Sequence, residues 1–301
     1  MLQNTVVQLG GSSRRIRRVT IRRGNRMMKI AIRLLCTAAL FAAFQTSAAE
    51  LGTVAVIGTG DMGDSLGPRF AGLGYKVVYG SRSPESERVK ALVRQTGGDT
   101  SAATPKEAAQ SADIVLMLVP WPAMETVARS LGDLGGKIVI DVSMPFMQGD
   151  DGYPKHLLET SSAEMIQAWN PGARVVKTFA TMGSQVIDDP TAESGIVTIP
   201  VASDDRDAKE QVARIVSNMG LDPVDFGPLR MARDIEIMQM IYMIPLVQNR
   251  PLNWEFHFRR SAHYGCYRAG ESTTEGLVPP YDEGEFAEFP NSKDSTKHCA
   301  E

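Results

Sequence analysis

From residue 53 onward, short runs of Val, Ile and Leu alternate with stretches whose apolar residues recur at helical spacing. That rhythm predicts βαβ units wound around a parallel sheet. The expected strands are Thr53–Ile57, Lys76–Tyr79, Ile114–Val119, Lys137–Asp141, Arg174–Thr178 and Ile196–Pro200. They are continuously apolar, as strands covered by helices on both faces are. Helices are expected over Pro105–Gln110, Ala123–Leu131 and Ala208–Met219. Thr104 serves as N-cap of the first, with Pro105 at its opening position, and Gly220 closes the third. A last apolar segment, Met231–Ile244, is expected to form a helix that packs across the end of the sheet and stops at Pro245. The fold class is therefore α/β: a Rossmann-type doubly wound parallel sheet with a C-terminal helical segment.

The two ends of the chain break this rhythm. Of the 32 basic residues, nine lie before residue 50, and none of the 35 acidic ones does. Arg14 to Arg33 form a basic region, Leu34 to Phe44 an apolar run, and Ser47-Ala48-Ala49 a small-residue cleavage pattern. The apolar run is shorter than the about 20 residues of a bilayer-spanning helix, and the whole suits a signal peptide. The expectation is an exported, periplasmic protein, or a cytoplasmic one if this segment is no signal. No membrane span is expected in the mature chain. From about Ser261 onward Gly, Ser, Thr, Pro and acidic residues dominate, which reads as a flexible tail. The expected domains are a targeting segment over 1–49, an oxidoreductase domain over 50–260 and the tail over 261–301. The body beyond residue 50 is acidic and would repel a phosphate backbone, which argues against nucleic-acid binding. Cys36, Cys266 and Cys299 have no metal-binding or redox spacing.

The strand Thr53–Ile57 runs directly into Gly58-Thr59-Gly60-Asp61-Met62-Gly63. A Gly-x-Gly-x-x-Gly turn between a buried strand and a helix is a dinucleotide fingerprint. Gly58 permits the tight turn, Gly60 lets the backbone approach a pyrophosphate, and Gly63 lets the helix pack close to the strand. The helix dipole then faces the phosphates. These six residues are assigned to cofactor binding, and Pro68 is expected to kink the helix that follows.

The end of the second strand selects the cofactor. NAD sites place an Asp or Glu there for the ribose 2′-hydroxyl. This chain has Gly80-Ser81-Arg82-Ser83-Pro84 instead. The hydroxyls of Ser81 and Ser83 and the guanidinium of Arg82 suit a 2′-phosphate, and Arg88 is placed to assist. NADP(H) is the cofactor expected.

The elements Gly58–Gly63, Gly80-Ser81-Arg82, Val119-Pro120-Trp121, Lys137–Ser143, Val175–Phe179, Pro200-Val201 with Asp204-Asp205, and Asp225–Leu229 resemble the NADPH-dependent coenzyme F420 reductase family. They are also similar to the oxidoreductase domain of the six-transmembrane metalloreductases. The resemblance spans roughly residues 53–258. It implies hydride exchange between NADP(H) and a deazaflavin (coenzyme F420) or a flavin (FAD or FMN). It further implies that Thr59 and Met62 line the pyrophosphate turn, that Ser81 and Arg82 hold the 2′-phosphate, and that Val119, Pro120 and Trp121 flank the nicotinamide ribose. The acceptor ring is implied near Met144-Pro145 and Thr178-Phe179-Ala180-Thr181, and a homodimer is implied as the assembly. Two positions depart from the family. Met144 and Ala180 stand where relatives often carry Asn, so an amide able to bond a carbonyl edge is replaced by an apolar side chain.

No acid–base constellation accompanies this pattern. His156, His257, His263 and His298 do not fall at the expected strand ends beside the nicotinamide, and Lys177 is the single strand-end candidate, read as a packing or surface residue. Carbonyl reduction needs a positioned proton donor, whereas ring-to-ring hydride transfer asks the protein chiefly to hold two rings face to face. The leading expectation is an NADP(H)-dependent oxidoreductase with a small-molecule redox acceptor. The alternatives are an NADPH-dependent reductase of a small carbonyl or imine, and a non-catalytic NADP-binding sensor. Trp121 either stacks on the cofactor or plugs the sheet end. Met238, Met240 and Met243 are expected to fill core, and Asp141, Asp204 and Asp205 to serve as caps and turns.

Overall fold

A computed structural model describes residues 51–192, 195–252 and 254–258. The expected targeting segment 1–49, the tail 261–301, the three cysteines, His263 and His298 lie outside these residues. Among the described residues, no helix is long and apolar enough to cross a membrane.

The chain folds as β1 (Thr53–Ile57), α1 (Asp61–Gly72), β2 (Lys76–Gly80), α2 (Glu87–Thr96), β3 (Thr100–Ala103), α3 (Pro105–Ser111), β4 (Ile114–Met117), α4 (Trp121–Ser130) and β5 (Ile138–Asp141). A small hairpin follows, β6 (Phe146–Gln148) and β7 (Pro154–His156), then α5 (Ser162–Trp169), β8 (Arg174–Lys177) and α6 (Ser184–Asp188). The last elements are β9 (Thr198–Ala202), α7 (Arg206–Asn218), β10 (Asp222–Gly227), α8 (Ala232–Tyr242) and α9 (Ile244–Val247).

Eight strands form one sheet in the order β10-β9-β8-β5-β4-β1-β2-β3. From β8 to β3 the pairs are all parallel. The order reverses at β1, whose successor β2 lies on one side while β4 lies on the other. That is the switch point where doubly wound sheets bind ligands beyond the carboxyl ends of their strands. Apolar side chains from both faces of β1, β4 and β5 are wholly buried, in two separate core clusters.

The expected parallel sheet needs one correction. The segment expected as Ile196–Pro200 forms β9 two residues further on, and it meets β8 antiparallel through Lys177 and Ala202. The connection from β8 returns to the sheet at the same end, so β9 and its parallel partner β10 run against the other six. Strands β3 and β10, the hairpin, and helices α2, α5 and α6 were absent from the sequence pattern. Helix α1 continues through Pro68. Pro245 does not stop the C-terminal helix: α8 has already ended at Tyr242, and Pro245 sits in the opening turn of α9. The buried face of α8 is Ala232, Ile235, Glu236, Gln239 and Tyr242. Met238, Met240 and Met243 are only half-buried and flank that face instead of filling a core.

Candidate active site

The glycine turn is built by close backbone contact. Gly58 has φ +122°, and a Cβ there would lie 2.5 Å from the carbonyl oxygen of Leu118 on the neighbouring strand's exit. A Cβ on Gly63 would lie 2.3 Å from the carbonyl oxygen of Gly58. The turn, the exit of β4 and the first turn of α1 therefore fit together only without side chains at these two positions. Gly60 differs: a Cβ there would meet nothing within 4 Å. Its open side, beside a helix N-terminus that no side chain caps, leaves donors and room for an anionic group.

A cleft of about 260 Å³ opens at this point, lined by Gly60, Asp61, Met62, Leu118, Val119, Pro120, Val142 and Ser143. Five of the expected site residues thus share one cavity, and the exits of β1, β4 and β5 contribute to it together. Leu118, Val142 and Ser143 are lining residues that the sequence reading did not assign. Each directly neighbours an expected element, and the adjacency of β4 and β5 brings them in.

The remaining expected residues are distributed around the cleft. Ser81, Arg82 and Ser83 form the turn after β2, with the Ser81 hydroxyl accepting from the Ser83 backbone at 3.2 Å and Arg82 exposed. Arg88 does not point to that turn. Its guanidinium donates to the Thr59 carbonyl at 2.6 Å and pairs with Asp64 at 3.4 Å, tying α2 to the glycine turn. Trp121 begins α4 with its ring stacked on Trp169, centroids 5.9 Å apart, so it is engaged with α5. Met144 is half-buried and Pro145 buried. Phe179 and Ala180 are buried in core clusters and do not line the cleft. Phe179 also has φ +57°, a conformation uncommon for a residue with a bulky side chain.

Beneath the cleft lies a polar cluster that the sequence reading missed. Asp141 and Lys177 are register partners on β5 and β8, and both are wholly buried. Lys177 Nζ lies 3.0 Å from an oxygen of Asp141 and 3.0 Å from one of Glu236 on α8. It also donates to the Ser143 carbonyl at 2.5 Å and to Ser162 Oγ at 2.9 Å. Burial alone would lower the Lys177 pKa, but the charges of Asp141 and Glu236 outweigh it and hold the ammonium above its ordinary range. Asp141 also accepts from the backbone and hydroxyl of Ser143, at 2.8 and 2.6 Å, so its expected turn role holds alongside the ion pair. His156 completes the cluster, its Nε2 2.7 Å from Glu236. The signal in the sequence was Glu236, a carboxylate between the apolar Ala232, Ile235 and Tyr242 on the buried stripe of α8.

Asp204 and Asp205 have the structural roles expected. Asp204 accepts from the Leu229 backbone at 2.8 Å, and Asp205 caps α7 while accepting from two nitrogens on one edge of the Arg174 guanidinium. Among the described residues, no group of His, Cys, Asp and Glu side chains is arranged to hold a metal ion.

With this geometry in place, known proteins can be set beside it. Residues 53–145 match the family described as NADP oxidoreductase, coenzyme F420-dependent. The chain is 32% identical over 213 residues to the F420-dependent NADP reductase of Methanothermobacter thermautotrophicus, covering 66% of this chain and 91% of that protein. It is 28% identical over 193 residues to metalloreductase STEAP3 of Rattus norvegicus, but spans only 37% of that longer protein. The solved structure of a putative F420-dependent NADP reductase from Arthrobacter sp. FB24 shares the fold with a TM-score of 0.63 at 26% identity, over 69% of this chain and 100% of that one. A reductase matched over nine-tenths of its length, on a sheet with the glycine turn at its switch point, makes the chain a member of the coenzyme F420-dependent NADP oxidoreductase family, an NADP-dependent oxidoreductase.

Proposed function

We propose that the protein transfers hydride between NADP(H) and a deazaflavin of the coenzyme F420 type. The observation that carries this reading is the cleft itself. Apart from Asp61, which is exposed, and the Ser143 hydroxyl, its lining is backbone and apolar side chains. Such walls suit the stacking of two planar rings, which supply the hydride chemistry themselves when bound. Lys177, the residue a carbonyl reductase would need as acid, is wholly buried and committed to Asp141, Glu236 and the Ser143 carbonyl.

In this reading Gly58, Thr59, Gly60, Asp61, Met62 and Gly63 receive the pyrophosphate. Ser81, Arg82 and Ser83 hold the 2′-phosphate. Val119, Pro120 and Trp121 flank the nicotinamide ribose. Met144-Pro145 shape the acceptor side, with Met144 selecting how tightly a ring carbonyl is held, whereas the expected Phe179-Ala180 segment is buried in the core and takes no part in that contact. Coenzyme F420 is the first acceptor and FMN or FAD the second.

The test is anaerobic mixing of the purified protein with NADPH and each of coenzyme F420, FMN and FAD, followed by the visible absorbance of the ring. Reduction of coenzyme F420 in preference to the flavins is expected. A protein that binds NADPH but reduces none of the three overturns the proposal.

A further inference from the structure

We propose that Ser143 recognises the carboxamide of the nicotinamide, accepting a hydrogen bond from its amino group through Oγ. This rests on the NADP(H) half of the reading above and names the residue that orients the hydride-bearing ring. The starting point is position in the fold. Strands β2 and β4 lie on opposite sides of β1. With the pyrophosphate on the glycine turn and the 2′-phosphate at the exit of β2, the other half of the dinucleotide runs toward the exits of β4 and β5. The cleft lies there, and two of its eight lining residues have polar side chains, Asp61 on α1 and Ser143 just past β5. Ser143 is thus the polar side chain on the nicotinamide side.

The buried cluster beneath the cleft fixes which way that hydroxyl faces. Its hydrogen is donated to Asp141 Oδ1 at 2.6 Å, and the Ser143 backbone N–H donates to the same oxygen at 2.8 Å. The Ser143 carbonyl accepts from Lys177 Nζ at 2.5 Å. The other oxygen of Asp141 is held by Lys177 at 3.0 Å and by the Ser162 hydroxyl. The carboxylate is therefore anchored at both oxygens, and Asp141, Lys177 and Ser162 are wholly buried. A serine hydroxyl ordinarily offers one donor and two acceptor positions. Here the donor is spent, and only lone pairs remain for a group in the cleft.

An acceptor without a donor is selective. Ribose hydroxyls donate and accept, so they pair with either kind of partner. The amino group of the carboxamide only donates, and at this end of the dinucleotide it is the group that an acceptor-only side chain suits best. An analogue lacking the N–H leaves the Ser143 lone pairs unmatched away from water, which is how a polar site rejects a close mimic. Holding the carboxamide also fixes the rotation of the ring about its glycosidic bond. It thereby sets which ring face turns toward Met144-Pro145.

Calorimetric titration of the full chain with NADP⁺ and with 3-acetylpyridine adenine dinucleotide phosphate tests the proposal. The analogue carries a methyl group in place of the amino group and is otherwise the same molecule. The wild type should bind NADP⁺ about tenfold more tightly than the analogue, about 1.4 kcal/mol. Ser143→Ala should lose that preference by weakening NADP⁺ alone, and Ser143→Thr, which keeps the hydroxyl, should retain it. Ser143→Cys, whose sulfur is a weak acceptor, should lower the preference and serves if Ser143→Ala fails to fold. A merely structural role would weaken both ligands alike. That result, or a wild type without preference, overturns the role of Ser143 and leaves hydride transfer standing. A wild type that binds neither ligand overturns both. A preference that depends on Ser143, in a protein that reduces no ring acceptor, supports the role of Ser143 and overturns hydride transfer alone.

Discussion

Lys177 and Asp141 face each other across adjacent parallel strands, 3.0 Å apart and wholly out of contact with solvent. Removing the ammonium would leave two carboxylates buried without their cation, and breaking such pairs typically costs about 3–5 kcal/mol. Lys177→Met should therefore lower the midpoint of urea unfolding sharply, with little change in the slope of the transition. The pH dependence has a definite sign. Because the folded protein holds the Lys177 proton more tightly than the unfolded chain does, its contribution is fully present below the ordinary lysine range, near about 10.4. It is lost only as pH rises through the higher folded value. Urea midpoints measured from neutral to strongly alkaline pH should fall in the alkaline limb for the wild type. Lys177→Met should lack that component of the fall.

The glycine turn supplies a paired prediction within one helix. A methyl group on Gly63 would press on the Gly58 carbonyl at 2.3 Å, whereas one on Gly72 at the end of α1 would meet nothing within 4 Å. Gly63→Ala should destabilise the domain and abolish detectable NADPH binding in calorimetric titration. Gly72→Ala should stabilise it by about 0.5–1 kcal/mol, the usual gain of alanine over glycine in a helix, and bind NADPH normally. Equal behaviour of the two variants would mean that the turn tolerates a side chain.

Most of the sheet and half of the cleft were legible in the sequence, for physical reasons. Strands such as Thr53–Ile57 and Ile138–Asp141 are buried on both faces, so they advertise themselves as unbroken apolar runs. Edge strand β3, Thr100-Ser101-Ala102-Ala103, has no such run and gives no signal. The orientation of β9 was hidden because direction is decided by which end of the sheet the connection returns to, and residue pattern carries no record of that. The glycine turn was readable because it is local. The polar cluster was not, because its members come from β5, β7, α5, β8 and α8 and are joined only by the fold. Lys177 reads as a packing or surface residue until the fold brings Asp141 and Glu236 beside it.

Asp205 gives an acid-side counterpart to Lys177. It accepts from the Ala208 backbone as N-cap of α7 and takes a two-pronged bond from Arg174 at 2.8 and 2.9 Å. The hydrogen bond from Arg174 is the chief cause that holds its carboxyl below the usual aspartate range, against the smaller opposing effect of burial. The stabilisation is thus complete above about pH 4, the ordinary aspartate value, and is lost as pH falls through the lower folded value. Asp205→Ala should cost about 1 kcal/mol through the lost cap at neutral pH. The difference from wild type should shrink in acid, as read from thermal unfolding between pH 7 and about pH 3.

In the proposed function, Arg82 is the residue that selects the cofactor. It is exposed in the turn after β2, at the place where an NAD site would carry a carboxylate, and Arg88 is engaged with Thr59 and Asp64. In this proposal 2′-phosphate selectivity therefore rests on Arg82 with the flanking Ser81 and Ser83 hydroxyls. Titration calorimetry with NADPH and NADH should show at least a tenfold preference for NADPH, about 1.4 kcal/mol. Arg82→Ala should erase that preference by weakening NADPH alone, since NADH has no phosphate for the guanidinium to meet. Arg88→Ala should instead weaken both cofactors, because it loosens the glycine turn that receives the pyrophosphate common to them. A loss of NADPH preference in Arg88→Ala with Arg82→Ala unaffected would transfer the phosphate contact to Arg88. That result would require its guanidinium to leave the Thr59 carbonyl when the cofactor binds.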